Sequence, residues 1–150
     1  MNGYKFEVLD NNNDFLKYLL INVKLDKYFI LIEEDETIYK DNNSLFERYS
    51  YKYDEFYKII CIEDYYPIFM RLDFCKDVVG DERNKITPSE CINSNIDLII
   101  LVTDSNYCEI YCKDDNLLKL FFNNLMNNEI FKNIRKSEII SRKKVSGYSD

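Results

Sequence analysis

Two thiols, Cys108 and Cys112, stand four positions apart in LVTDSNYCEIYCKDD, a stretch that also carries three aspartates and two tyrosines. Paired thiols grip a zinc ion or cycle through a disulfide, and either use needs the sulfurs within a few ångströms of each other. The surrounding pattern decides against both. Apolar and polar residues alternate, so the segment reads as a β-strand with Cys108, Ile110 and Cys112 on one face and Tyr107, Glu109 and Tyr111 on the other. Residues four apart on a strand are separated by ~13 Å, at ~3.3 Å per residue. A redox pair of the thioredoxin type has two intervening residues and opens a helix; here three residues intervene. Both cysteines are expected in the core.

Other routes to chemistry close in similar ways. The chain has no histidine, which removes the commonest general base and metal ligand and any Ser–His or Cys–His nucleophile pair. The three glycines, Gly3, Gly80 and Gly147, are isolated, so no glycine-rich phosphate loop exists. The five cysteines (Cys61, Cys75, Cys91, Cys108 and Cys112) are scattered and read as reduced, buried, apolar side chains. Carboxylate runs remain at Glu33 to Glu36, at Glu63 and Asp64, and at Asp114 and Asp115. Gathered by the fold they could hold Mg²⁺ or Ca²⁺, but none has the spacing of a calcium loop, and they read as solvated turns. Asp114 and Asp115 fit a helix cap and a first-turn acid. No catalytic residue, metal ligand or cofactor is assigned.

The tyrosines are more suggestive. ERYSYKYDEFY sets Tyr49, Tyr51, Tyr53 and Tyr57 among Glu47, Asp54 and Glu55, and EDYYP adds Tyr65 and Tyr66. Aromatic rings supply contact area, while carboxylates steer and pair with Lys and Arg, so this mixture suits a surface for a basic protein partner. The competing reading packs half of these rings in the core.

Net charge points the same way. The chain of 150 residues carries −7, and its pI is about 4.7. An acidic body repels phosphate backbones, so nucleic acid is not an expected partner. Residues 130–150 alone carry +4, leaving −11 on the rest. The end from 142 to 150, with Arg142, Lys143 and Lys144, is expected to be a frayed basic tail, or else a tether to an anion or to the protein's own acidic face. The opening MNGYKFEVLD lacks a basic region followed by an apolar core, and IDLIILV is too short to span a membrane. A cytoplasmic protein without a membrane partner is expected.

The elements that must position these residues follow from periodicity. Tyr4–Leu9 alternates as a strand, and a short helix follows from Phe15, capped by Asn13 or Asp14. KYFILIEED reads as a buried strand whose acids mark a turn, with ETIYKDNN as its hairpin partner. Tyr53, Phe56, Tyr57 and Ile60 have helical spacing. YYPIFMRLDFC is a strand with Ile68, Met70 and Leu72 on one face and Phe69 and Arg71 on the other, and KDVVGDERNK is a polar loop. TPSECINS carries a capping signature in Thr87, Pro88 and Glu90. DLIILVT and YCEIYC form a hairpin about DSN. An amphipathic helix follows Asp114 or Asp115, with Leu117, Leu118, Phe121, Phe122, Leu125 and Met126 as its stripe. EIFKNI extends or follows it, and SEIISRK is a last edge strand. The result is an α+β class: a single domain over 1–141 with a largely antiparallel or mixed sheet packed against helices.

DLIILVTDSNYCEIYCKDDNLLKLFFNN, residues 97–124, resembles a stretch of an uncharacterised family of small proteins of unknown function from Gram-positive bacteria. The matching residues are Asp104, Ser105, Tyr107, Ile110, Tyr111, Cys112, Lys113 and Asp114. The resemblance implies one domain over the whole chain and brings no catalytic residues with it. The residues themselves point to a non-catalytic cytoplasmic interaction protein, concretely an immunity or inhibitor protein that neutralises a basic toxin or effector domain. The alternative is a small-molecule or metal-ion binding module, or a carboxylate-based enzyme.

Overall fold

The structure, a computed structural model, describes residues 1–77 and 86–140, with the backbone alone at Ile62. The expected loop over KDVVGDERNK falls mostly outside those residues, as does the basic tail. Within them the alternating segments form one seven-stranded sheet. Its strands are β1 (Asn2–Val8), β2 (Phe29–Ile38), β3 (Ser50–Lys52), β4 (Tyr66–Cys75), β5 (Ile96–Thr103), β6 (Tyr107–Cys112) and β7 (Phe131–Glu138). The spatial order is β3-β2-β4-β5-β6-β1-β7, and every pair is antiparallel. The α+β expectation therefore holds, with a purely antiparallel sheet.

Three helices, α1 (Phe15–Leu20), α2 (Tyr53–Ile62) and α3 (Asp115–Met126), cover one face. Phe15, Leu16 and Leu19 of α1, Phe56 and Ile60 of α2, and Leu118, Phe121 and Leu125 of α3 meet Ile30, Leu72, Phe74, Leu98, Ile100 and Ile110 of the sheet. Phe15, Leu19, Phe56, Ile60, Leu118, Phe121 and Leu125 stand at positions that the helical spacings place inward, whereas Ile21, on the same expected side of α1, is exposed. The Asp114 carboxylate accepts from the N–H groups of Asn116 (2.9 Å) and Leu117 (3.2 Å), capping α3 as expected. Asn124 then donates to the Leu19 and Ile21 carbonyls, both at 2.8 Å, which ties α3 to the end of α1. Met126 is exposed, so the apolar stripe of α3 is narrower than the sequence pattern.

The second face is closed by less. A short 3₁₀ turn, Ser89–Asn93, lies over Leu31, Cys75, Ile96 and Ile99 and inserts Cys91 among them. The Thr87 hydroxyl meets the Glu90 carboxylate at 3.2 Å and the Glu90 N–H at 3.4 Å, which realises the expected capping pair on a 3₁₀ rather than an α turn.

Two expected elements are corrected. No hairpin turn occurs at Glu33–Glu36; β2 runs straight through to Ile38. Two of the four acids there are used rather than solvated: Glu33 accepts from the Tyr49 hydroxyl, and Asp35 accepts from the N–H groups of Leu45 (2.8 Å) and Phe46 (2.7 Å), fastening the following loop to the strand, while Glu34 and Glu36 are exposed. A register shift between Ile32 and Glu34 resets the alternation, which periodicity alone cannot anticipate. Past α3, EIFKNI and most of SEIISRK do not form separate elements. Phe131–Ile134 of the first and Ser137 and Glu138 of the second belong to one strand, β7, because the open edge of β1 offers a partner, and residues 141–143 lie outside the described residues.

The β5–β6 hairpin turns through the three-residue loop Asp104–Asn106, in which Asp104 (φ 49°) and Ser105 (φ 67°) are both left-handed. With so few glycines, the chain assigns such positions to Asn, Asp, Ser and Lys. One glycine is sterically required. A Cβ at Gly3 would overlap the Ile110 carbonyl oxygen and the Tyr111 ring, which lies across it from β6. Gly3→Ala is expected to lower stability by about 1–3 kcal/mol, the usual cost of overpacking, read as a reduced midpoint in urea unfolding. An unchanged midpoint would show that β1 shifts without cost.

Candidate functional site

The opening cysteines are answered by the strand they sit on. Cys108, Ile110 and Cys112 all point into the helix-covered core. All five cysteines are free. Burial pushes the Cys112 thiol up to about 11 and the Cys91 thiol up to about 12, with Cys108 raised further. Thiols so displaced stay protonated at neutral pH and are poor nucleophiles and ligands. Among the described residues no group of three or more His, Cys, Asp or Glu is placed to hold a metal ion. No helix among them is long and apolar enough to cross a membrane.

The tyrosine-rich segment divides between three environments. Tyr51 is buried in the main core, its hydroxyl accepting from the Glu47 (3.0 Å) and Arg48 (2.9 Å) N–H groups. Tyr49 is buried on the opposite side of the sheet, where its hydroxyl donates to Glu33. Tyr65 is buried against α2, 3.4 Å from the Ile60 carbonyl. Tyr53 and Tyr57 stack on one another at 5.7 Å and are half-buried; burial pushes the Tyr53 phenol up. Glu47 and Asp54 are exposed, while Glu55 pairs with Arg48 at 2.8 Å, which holds its carboxyl below the usual range. Tyr66 differs from the other five rings in being 42% exposed. These nine residues thus do not form one patch.

Tyr66 belongs instead to one end of the sheet. Its register partner on β2 is Ile38, 55% exposed. On its other side a pocket of about 280 Å³ is lined by Tyr66, Leu9, Asp10, Ser105 and Asn106. Leu9 is 38% and Tyr107, at the start of β6, 55% exposed. The strip Ile38–Tyr66–Leu9–Tyr107 is bordered by exposed Asp10, Asp64 and Asp104 and half-buried Glu63. Tyr39 donates to Glu63, and Asn106 donates to Asp10 at 2.9 Å, so part of this border is preset. Only Tyr66 of the strip stood out in the sequence. Ile38 and Tyr107 come from the ends of two other strands and Leu9 from the residue after β1, and the signal that could have found them is their shared place at or beside strand ends.

The second feature is a buried ionic cluster on the thinly covered face. Arg71 bonds Asp73 side-on, Nε to Oδ1 at 3.1 Å and Nη2 to Oδ2 at 2.9 Å. Its Nη1 donates to the Ile86 carbonyl at 2.7 Å, and Nη2 lies 3.4 Å from Cys91 Sγ. Asp73 is 1% exposed. Burial pushes its carboxyl up from the ordinary value; Arg71 opposes that shift and the charge of Glu33 adds to it. Burial works equally against the Arg71 charge, and Asp73 more than offsets this, holding the guanidinium charged. A cleft of about 620 Å³ opens beside the cluster, lined by Glu33, Glu34, Glu36, Phe69, Arg71 and Pro88 among others. Chemically this is an anchored cation with acids around it.

A family model described as "Protein of unknown function (DUF2691)" matches residues 1–145, and the chain belongs to that family. It is 27% identical over 140 residues to the uncharacterized protein YncE of Bacillus subtilis (strain 168), covering 82% of this chain and 84% of that one. No solved structure matches.

The cluster makes a stability prediction. Arg71→Met strands a buried carboxylate and is expected to cost about 3–5 kcal/mol at neutral pH, with the apolar pair R71M/D73L recovering much of it. Asp73 has a raised pKa in the folded state, so its protonated form favours folding and that contribution is lost as pH rises through the folded pKa. Removing Arg71 enlarges the shift. The deficit of Arg71→Met should therefore shrink as pH falls toward the ordinary Asp value of about 4, measured by urea unfolding. A deficit independent of pH would mean that Asp73 is not the stranded group.

Proposed function

We propose that this member of a family of unknown function is a non-catalytic binding protein that captures a basic protein partner through the Tyr66 end of its sheet. Its most concrete form is an immunity or inhibitor protein acting on a basic toxin or effector domain. The observation that carries the reading is the exposed strip Ile38–Tyr66–Leu9 set among Asp10, Glu63, Asp64 and Asp104. Exposed aromatic and aliphatic anchors inside a charged rim are the arrangement that concentrates binding energy at interfaces. Residues 33–64, which flank this end, carry ten acids and four bases, so long-range attraction would speed encounter with a cationic surface. Among the described residues, four of the six left-handed non-glycine residues, Asn11, Lys40, Asp104 and Ser105, sit in the turns of this same end. Such backbone is retained against its cost where surrounding structure holds it.

A second reading, a small-molecule or ion-binding module, rests on the cleft beside Arg71, whose volume lies in the range of ligand sites, roughly 300–1,000 Å³. It predicts a thermal-shift response to metabolites or divalent ions that is lost in a Glu34→Gln, Glu36→Gln variant.

The primary reading is tested by capturing partners with the tagged full chain at low salt and at ~0.5 M salt, where exposed charges are screened within a few ångströms. One dominant basic partner, weakened by salt, is expected. Tyr66→Ala should weaken it by about 30-fold or more, the cost of a hot-spot residue, with the unfolding midpoint unchanged. A basic partner held equally by wild type and Tyr66→Ala would move the interface elsewhere. No basic partner at either salt would remove the reading.

A further inference from the structure

We infer that the pocket beside Tyr66 receives one arginine side chain of the partner, with Asp10 taking the guanidinium and the Tyr66 ring lying against its face. The inference rests on the reading of the Tyr66 end as a binding surface and adds the residue that the partner must supply. Size sets the first limit. The pocket holds about 280 Å³, just below the roughly 300–1,000 Å³ of sites that enclose a small-molecule ligand. A single long side chain is an occupant of that scale. Charge sets the second limit. Of the described residues that line the pocket, Asp10 alone is charged. Asp104 precedes Ser105 of the lining, and Asp64 lies two residues before Tyr66. None of these three acids makes an ion pair among the described residues. A recess with an uncompensated carboxylate favours a cation.

Both recognition groups have room for one. The Asp10 carboxylate accepts from Asn106 Nδ2 at 2.9 Å, its one hydrogen bond among the described residues. An ionised carboxylate offers about four acceptor sites, so most of its capacity stays open. The ring is open as well. The chain lays its own cations over Tyr18, Tyr28, Tyr39 and Tyr51, at 4.4 to 5.4 Å from the ring centroids. Tyr66 is 42% exposed and carries no such cation among the described residues. Arginine fits this pair of groups better than lysine. Its planar guanidinium forks onto a carboxylate and stacks on an aromatic face, whereas an ammonium is a compact, strongly hydrated point charge. The walls are set in advance. Asn12 Nδ2 donates to the Leu9 and Asp10 carbonyls, both at 3.0 Å, and Asn106 Nδ2 to the Val8 carbonyl at 2.7 Å. The Ser105 N–H donates to the Ile68 carbonyl at 3.0 Å. These bonds join the loop after β1, the β5–β6 turn and β4, so little freedom is left to lose on binding.

The test titrates N-acetyl-arginine amide into the isotope-labelled full chain and follows the backbone amide resonances by NMR. The lysine analogue and the citrulline analogue, an uncharged near-isostere of arginine, are run beside it. A saturating response centred on residues 9–13, 66 and 105–106 is expected, with a Kd on the order of millimolar for one side chain. Asp10→Asn should weaken it about tenfold, with the unfolding midpoint unchanged. The lysine analogue should bind about fivefold more weakly, and the citrulline analogue should give no response. No response to the arginine amide, or one spread over acids elsewhere such as Glu36 or Asp54, would overturn the inference. So would equal binding by Asp10→Asn, or equal binding of either analogue. These failures are distinct from that of the partner reading. A basic partner held as tightly by Asp10→Asn as by wild type would remove the arginine pocket and leave the Tyr66 surface in place. Capture of no basic partner would remove that surface, while the titration reads the pocket by itself.

Discussion

The guanidinium of Arg71 holds the second face of the sheet together. Three helices bury one face of β4 and β5, but those central strands are apolar or charged on both sides, and among the described residues the second side is covered by a five-residue 3₁₀ turn with Met1, Ile86 and Ile139 packed beside it. Such a cover has little area of its own to bury. Arg71 fastens it by bonding Asp73 within its own strand and the Ile86 carbonyl at the entry to the turn, with Cys91 in contact. Without this tie, Leu31, Cys75 and Ile99 would lose their cover and Asp73 its counter-charge. A buried pair of this kind contributes little net stability but fixes geometry, since either partner alone is costly.

The tie also sets where the molecule is open. The helix side is filled by Phe6, Phe15, Phe56, Phe74 and Phe121, and a pocket of about 660 Å³ opens at its edge, where Asp115, Leu118 and Lys119 of α3 face Tyr4 of β1. The strand ends and the uncovered part of the second face remain. Charge is unevenly divided across the sheet. The β2–β3 edge is acidic, whereas the β7 edge presents exposed Lys132, Arg135 and Lys136. Lysine and arginine on an open edge strand, together with the left-handed Asn133, discourage pairing with another chain. The acidic end thereby becomes the more available surface, and its tyrosine and aliphatic anchors lie at or beside the ends of the strands.

Much of the fold was legible in the sequence because its signals are local. Alternation in YCEIYC placed Cys108, Ile110 and Cys112 inward, and the helical spacing of Tyr53, Phe56, Tyr57 and Ile60 marked α2. Asp114 and the Thr87–Glu90 pair were readable as caps because capping acts within one turn. The extent of β2 and β7 was not legible. A bulge at Glu33 interrupts the period, and β7 forms because β1, over a hundred residues away, leaves an edge to pair with. The candidate surface was legible only at Tyr66. Tyr49, Tyr51 and Tyr65 look identical to it in composition, yet a hydroxyl that finds a hydrogen-bond partner lets each of them go inside.

By itself, then, the sequence determined the α+β class, the inward faces of its regular elements, the acidic charge, and the lack of histidine or a phosphate loop. Each of these depends on residue type or on spacing within a few positions. Tertiary structure decided which tyrosines reach solvent, which acids are buried, and which strands lie at an edge. Those outcomes depend on contacts between residues distant in sequence, where a single register shift or cross-strand partner moves a side chain from one face to the other.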